Sequence, residues 1–479
     1  MKKCHFLAAA LLLFVPVVSL GQSPASPDDV AERMNRQDAD IQALREEVKR
    51  LREETVRLPA VATTPAGMAP AADAVAPAPA PADAGVIVPE TARVKAGEGN
   101  FFSLDELRGE MTKFSWKKGD FAVTPYGYLW GNSVYSTERT SPGSYTLYVQ
   151  SASTTPESEF IVDVRNTRLG FDVLGPKIPC LGCAESGGKV EVDFQNSVLT
   201  TENKPTIMLR HAYCEVKDED FRILVGQTWD VISPLNPDML LYSVGWDAGN
   251  IGYRRAQFRY ERYLNFSDVS LVTVQSSINQ DVFPDTITGA TGEPSNWPIV
   301  EGRVAWTVGR RGQGCLPITV GLSGHIGEDE FDSTVLGRDN RRRTWSGDLD
   351  VRVPLNECWG VEGECYIGEN LSPFLGGIGQ GIDPLTGNTI RDAGGWFEVW
   401  YDCTPKLHSH VGYSVDQPNN HDLTAATERS YNQFYFGNLI YDVTKNLLVG
   451  VEVSSWKTLY VGELPGDSVR TEFVAKYGF

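Results

Sequence analysis

From about residue 120 to the end of the chain, apolar and polar side chains alternate with a period of two, in run after run. Lys189, Glu191, Asp193 and Gln195 alternate with Val190, Val192 and Phe194. Arg255, Gln257, Arg259 and Glu261 alternate with Ala256, Phe258 and Tyr260. In the last run Val469, Thr471, Phe473, Ala475, Tyr477 and Phe479 share one face, while Ser468, Arg470, Glu472, Lys476 and Gly478 share the other. Successive side chains of a strand point to opposite sides, so each run predicts a strand with one apolar and one charged face.

Sixteen such strands are predicted, at about 121–136, 159–174, 188–197, 206–217, 221–230, 252–263, 267–277, 297–309, 315–327, 343–354, 358–369, 395–404, 406–416, 429–441, 445–457 and 467–479. The links from odd to even strands (137–158, 198–205, 231–251, 278–296, 328–342, 370–394, 417–428 and 458–466) read as long. Links such as Lys217-Asp218-Glu219-Asp220 and Asp442-Val443-Thr444-Lys445-Asn446 read as tight, with the exception of a Cys-bearing turn near 175–187. A soluble propeller or sandwich has no reason to alternate its loops in this way. Membrane barrels do alternate: they have short turns on the periplasmic side and long loops outside.

The N-terminus agrees with export. Residues 1–21 carry Lys2 and Lys3, an apolar run from Phe6 to Val18, and Ser19 and Gly21 before Gln22, the pattern of a cleaved secretory peptide. Beyond it no apolar stretch reaches the ~20 residues of a membrane helix, so a membrane-spanning form has to be a closed barrel. The expected fold is therefore all-β, a sixteen-stranded antiparallel transmembrane β-barrel over residues 119–479 with both termini periplasmic. A final aromatic residue, Phe479, is similar to the assembly signal of bacterial outer-membrane proteins.

Between signal and barrel three segments follow. Residues 27–58 predict an α-helical coiled-coil stalk: Met34, Ile41, Val48 and Thr55 take the a positions, and Val30, Gln37, Leu44, Leu51 and Leu58 take d. Asp40 and Glu47 at g face Arg45 and Arg52 at e of a parallel neighbour, which specifies a parallel oligomer but leaves dimer against trimer open. Residues 59–98 form a linker whose first part, 59–90, holds seven Pro and twelve Ala, a semi-rigid spacer. Ser103-Leu104-Asp105-Glu106 is a capping box, and residues 103–118 read as a short helix and lead-in.

A charge facing lipid costs about 2–4 kcal/mol at the midplane, so the charged faces are assigned to the lumen. On the early strands that face is basic: Arg165, Arg168, Arg210, Arg222, Arg255, Arg259 and Arg303. On the later strands it is acidic: Asp348, Asp350, Glu362, Glu364 and Glu398. A barrel of sixteen strands encloses water, and opposed charges across a constriction give a transverse field that orients polar solutes. Arg222, Arg255 and Arg259 are the residues expected to attract anions where the lumen narrows. The segment Ile232 to Tyr242 is unusually apolar for an external loop. It is read as folding into the pore, latching onto a neighbouring subunit, or dipping into the membrane.

The net charge of −19 and the lack of a basic cluster speak against nucleic-acid binding. Of eight cysteines, Cys4 lies in the signal, and export exposes the rest to oxidising conditions. Cys358 and Cys403 fall at one rim of neighbouring strands and are candidates for a disulfide. Cys180 and Cys183 form a turn staple or remain thiols. His408 and His410 share a face of the thirteenth strand and His325 lies on the ninth, but no third metal ligand can be named, so no metal and no cofactor are assigned. Gly-x-Ser-x-Gly and His-Glu-x-x-His motifs are absent.

Arg168-Leu169-Gly170-Phe171-Asp172, Lys189-Val190-Glu191-Val192-Asp193-Phe194, Leu209-Arg210-His211-Ala212-Tyr213 and Gly226-Gln227-Thr228-Trp229 occur in that order. With the stalk and the terminal Phe, the chain resembles the DcaP-type trimeric porins of Gram-negative outer membranes, most closely over residues 120–265. That resemblance implies a homotrimer in outer-membrane lipid that passes small hydrophilic solutes, organic anions such as dicarboxylates, through an arginine-lined constriction without catalysis. The competing readings are a tether from the outer membrane to the cell wall and an enzyme embedded in a barrel.

Overall fold

The computed structural model describes residues 115–154, 157–196, 205–282, 290–312, 314–333 and 336–479. The signal, the stalk, the linker and the short helix up to residue 114 lie outside the described residues. The last part of the lead-in, Trp116–Lys118, is a short strand, not helix: it turns back at Gly119 and pairs with Phe121–Val123.

Sixteen antiparallel strands form the barrel. They are β1 (Phe121–Ser136), β2 (in two pieces, Glu159–Asp163 and Arg168–Ile178), β3 (Ala184–Asp193), β4 (Met208–Lys217), β5 (Phe221–Trp229), β6 (Arg254–Ser267), β7 (Ser270–Asn279) and β8 (Ile299–Val308). Then come β9 (Ile318–Ser333), β10 (Gly337–Pro354), β11 (Trp359–Glu369), β12 (Arg391–Thr404), β13 (Leu407–Pro418), β14 (Arg429–Asp442), β15 (Leu447–Tyr460) and β16 (Gly466–Gly478). Each strand pairs with the next, and β16 pairs with β1 from Ser136↔Arg470 to Tyr128↔Gly478, which closes the cylinder. Phe479 continues that seam by exchanging backbone hydrogen bonds with Gly127.

Burial is inverted relative to a soluble protein. Arg255, Gln257, Arg259 and Glu261 of β6 are buried, whereas Phe258 and Tyr260 between them are exposed. On β16 Arg470 and Glu472 are buried, while Val469, Phe473 and Tyr477 are exposed. Water would drive the opposite arrangement, and a lipid exterior with a polar interior explains it. Exposed aromatics mark the end of the barrel that carries the short links: Phe121, Phe266, Trp306, Trp359, Tyr401, Tyr441 and Tyr477. This is the girdle expected at a membrane interface. Leu322 of β9, 65 % exposed between Val304 and Leu349, lies within the apolar belt. Leu322→Arg is expected to lower barrel stability by up to about 4 kcal/mol in a denaturant titration in lipid, and Leu322→Phe to leave it unchanged.

Two links differ from expectation. Residues 328–333 and 337–342 are strand, not loop: β9 and β10 pair out to Ser333↔Gly337. The stretch lacks an apolar face because it extends past the lipid belt, where cross-strand charges such as Glu330–Arg341 at 3.2 Å are tolerated. The Cys-bearing turn is also shorter than read. β2 runs to Ile178 through a bulge, β3 starts at Ala184, and only 179–183 remain, with Gly182 and Cys183 at positive φ. The proposed disulfides are not formed. All seven described cysteines are free thiols, Cys180 and Cys183 included. Trp359 pairs with Tyr401, so continuing the register sets Cys358 opposite Asp402, one residue short of Cys403. Cys358 O accepts the Asp402 N–H at 2.7 Å, and Cys403 lies at a bulge of β12.

The interior is not an empty tube. Residues 137–154, 230–253 and 370–390 fold inward and bring apolar side chains with them. Leu241, Ala248 and Val149 pack with Phe434, Phe436 and Trp456 of β14 and β15. Ile232, Ile251, Leu371 and Phe374 pack with Ile299 of β8 and Tyr366 of β11. The returning loops thus cover apolar positions on the inner face of β8, β11, β14 and β15.

Candidate functional site: the constricted lumen

The loop 230–253, between β5 and β6, defines the narrow part. Its stem is closed by Asp230, whose N–H donates to Tyr253 O and whose carboxylate accepts the Tyr253 N–H at 2.9 Å. Beyond the stem Pro234 and Pro237 favour an extended path, which leaves backbone amides without partners inside the loop. The wall supplies them. Val231 N–H donates to Glu301 of β8 (2.6 Å), Leu235 N–H to Glu364 of β11 (2.7 Å), Asp238 N–H to Glu398 of β12 (2.8 Å) and Leu240 N–H to Glu452 of β15 (2.8 Å). The Tyr242 hydroxyl then reaches Asp193 of β3 at 3.1 Å. The loop thus travels along the acidic side of the wall on a ladder of glutamates. Such charge-assisted bonds contribute about 1.5–3 kcal/mol each. Of the three sequence readings of this segment, folding into the barrel is the observed one.

This ladder corrects the role of two expected pore-lining acids. Glu364 and Glu398 are buried beneath the loop and hold its backbone instead of facing solute. Glu362 lies 3.5 Å from Arg352, and Asp348 accepts from the Ser346 hydroxyl. Asp350 grips Arg303 through two bonds of 2.9 and 2.7 Å.

Several expected arginines are likewise neutralised in the wall. Arg165 pairs with Asp163 at 2.8 Å, and Arg210 with Glu191 and Asp193 at 2.7 and 2.9 Å. Arg259 is held by Gln257 and Glu261. The Arg255 side chain has no exposed surface: it pairs with Asp230 (2.8 Å), donates to Pro373 O (2.9 Å) and lies 3.9 Å from the Phe374 ring centroid. Nor do Arg222, Arg255 and Arg259 share one level. Arg222 stands opposite Glu261, six residues along β5 from Thr228, which faces Arg255. At ~3.3 Å per residue that is roughly 20 Å. Arg222 pairs there with Glu215 at 2.6 Å.

Three cations that have no carboxylate partner among the described residues, Lys476, Arg168 and Arg254, stand elsewhere. Lys476 of β16 and Arg168 of β2 both lie over the Tyr128 ring, at 4.4 and 5.4 Å. Arg254, at the start of β6, is enclosed by Trp229 (4.5 Å), Tyr253 (4.8 Å) and Trp246 (5.7 Å), and both of its terminal nitrogens lack hydrogen-bond partners. Arg210 approaches the other side of the set, 5.8 Å from Trp229. Register places these residues at one height. Lys476 faces Trp130, Arg168 faces Tyr128, Glu191 lies between Gly170 and His211, and Arg254 faces Trp229. The result is an arc of four cations, two carboxylates and aromatic rings in which Arg210 and Arg254 are buried where Tyr242 and Trp246 of the loop reach the wall, while Arg168 and Lys476 are only half-buried. Arg168 and Arg210 were legible as candidates in the sequence, whereas Arg254 and Lys476 were not. Arg254 precedes the alternating run of its strand, and Lys476, though placed on the charged face of the last strand, was not singled out there because alternation does not tell a free cation from a paired one.

The histidines separate. His325 is buried, bonded to Ser346 and Thr344 and stacked on Phe374 at 3.8 Å. His408 bridges Asp402 and Asp442 near the short-link rim, and His410 faces the tip of the inward loop. At the opposite end Arg391 donates to Asp422 at 2.8 and 2.7 Å, which holds that carboxyl below its usual range.

No protein family and no curated protein matches the chain. Among solved structures, the barrel is similar to the outer membrane channel DcaP of Acinetobacter baumannii, with a TM-score of 0.61 and 19 % identity over 76 % of this chain and 100 % of that one. More distant similarity extends to OmpF of Salmonella typhi (TM-score 0.49, 13 % identity, 76 % and 100 % covered) and to an anion-selective porin of Comamonas acidovorans (0.48, 11 %, 75 % and 100 %). The likeness that the four sequence motifs suggested is thus met in three dimensions: the chain has the barrel fold of the DcaP outer-membrane channel.

Proposed function

We propose that the protein is an outer-membrane porin, a water-filled channel for passive diffusion of small hydrophilic solutes that favours organic anions such as dicarboxylates. One observation carries the reading. The inward loop occupies the acidic wall, while Arg168 and Lys476 stay half-buried over the Tyr128 ring, and among the described residues neither has a carboxylate partner. Cations stacked on aromatic rings present their charge without a fixed counterion, so a passing carboxylate can pair with them briefly and leave. Within this reading Arg222 acts nearer the short-link mouth, while Arg165, Arg255, Arg259 and Arg303 organise the wall. The likeness to DcaP supports the barrel on which the proposal rests.

Conductance of the purified full-length protein in planar bilayers tests it. Large, steady openings with a reversal potential on the anion side are expected under a KCl gradient. A tether or a plugged enzyme barrel gives no such openings and would end the proposal.

The assembly belongs to the same proposal: a homotrimer in outer-membrane lipid, with a periplasmic stalk over residues 27–58 that extends toward the cell wall. Removing residues 22–58 should leave an insertable barrel, because the heptads lie outside every strand. The oligomer should dissociate at a lower temperature in semi-native electrophoresis. Failure of the truncated chain to insert would show that stalk and barrel are not modular.

A further inference from the structure

The tip of the inward loop meets the wall at a cluster that solute passage does not use. Asp238 from the loop, Glu398 of β12 and His410 of β13 each offer a ligand atom, all within 4.8 Å of one another. A single ring nitrogen, His410 Nδ1, faces both carboxylates, at 3.4 Å from Glu398 Oε1 and 3.7 Å from Asp238 Oδ2. One N–H cannot point along both lines, and these lengths are long for hydrogen bonds. They are close to the ~3.3–3.4 Å edges of a tetrahedron around Zn²⁺ with bonds of ~2.0–2.1 Å. His408, two residues away, makes the contrast: its two nitrogens face separate carboxylates, Asp402 and Asp442, and enclose no common point.

The surroundings orient these groups. Glu398 has no exposed surface, and among the described residues no Lys or Arg pairs with it. Its second oxygen, Oε2, accepts the Asp238 N–H. Asn438 donates to Asp238 O at 2.8 Å and accepts the His410 N–H at 3.1 Å, fixing both ligand-bearing backbones. Outer partners of this kind hold the ligands of metal sites in place. The Asp238 side chain is 35 % exposed, which leaves an approach from the lumen and room for water as a fourth ligand.

We propose that Asp238, Glu398 and His410 bind a divalent transition-metal cation, Zn²⁺ by preference, which pins the inward loop to strands β12 and β13. An imidazole with two carboxylates suits Zn²⁺, whereas Ca²⁺ and Mg²⁺ ask for six or more oxygen ligands.

Titration of the chelator-treated, full-length protein in detergent with ZnCl₂ by calorimetry tests this. One saturable site per chain is expected, with CaCl₂ giving no comparable heat. Asp238→Asn and His410→Ala should each weaken Zn²⁺ by at least the ~10–100-fold typical of losing even an outer-shell partner, and His408→Ala should leave it unchanged. Asp238 lies outside every strand, so Asp238→Asn carries the test if the His410 variant does not fold. Absence of a saturable site, or undiminished affinity in Asp238→Asn, overturns the proposal.

Discussion

Arg255→Ala is expected to destabilise the barrel by about 3–5 kcal/mol, the loss typical of removing one partner from a buried ion pair. The variant leaves the buried Asp230 carboxylate at the stem of loop 230–253 without its counterion. It also strips Pro373 O of its donor and Phe374 of its stacked cation, so loop 370–390 loosens together with loop 230–253. Denaturant unfolding in lipid should show the loss, and single-channel records should become noisier as both loops leave their docked positions. Arg255→Lys should recover little, since an ammonium cannot bond Asp230 and Pro373 with the geometry of a planar fork. An unchanged midpoint together with a shifted reversal potential would return Arg255 to the pore surface.

The second large effect is on selectivity. Replacing Arg168 and Lys476 together by Ala is expected to move the reversal potential from the anion toward the cation side, with little change in unfolding. These two lie half-buried over the Tyr128 ring and have no carboxylate partner among the described residues, so no buried counterion is stranded by their loss. With a Debye length of only ~8 Å at physiological salt, charges at the narrow level outweigh the net −19 of the whole chain. Once the local cations are gone, the acidic remainder decides. The same measurement on Arg259→Ala should show almost no shift, because Gln257, Glu261 and Trp229 O already engage that guanidinium. Equal shifts in the two variants would mean that the arc is not the narrow level.

Strand number, strand faces and the asymmetry of most links were legible in the sequence because lipid acts on each residue separately. A charge on the outer face of β6 or β16 is unfavourable whatever the rest of the chain does, so the period of two is written locally along every run. The rule fails where lipid ends. Residues 328–342 lack an apolar face and read as loop, although charge pairs hold 328–333 and 337–342 as strand beyond the belt.

The lumen could not be read in the same way. Alternation places Arg255, Glu398 and Glu452 inside but says nothing about which charges cancel. That depends on register and on loops that dock far from their origin. Leu240 meets Glu452, Asp238 meets Glu398, and Arg255 meets Pro373, over separations of 212, 160 and 118 residues. The sequence alone therefore determined a closed barrel with a charged interior, since the penalty for the wrong face is local. Only the tertiary structure decided which charges remain free to meet a solute, because neutralisation is a property of pairs brought together by closure of the barrel and inward folding of its loops.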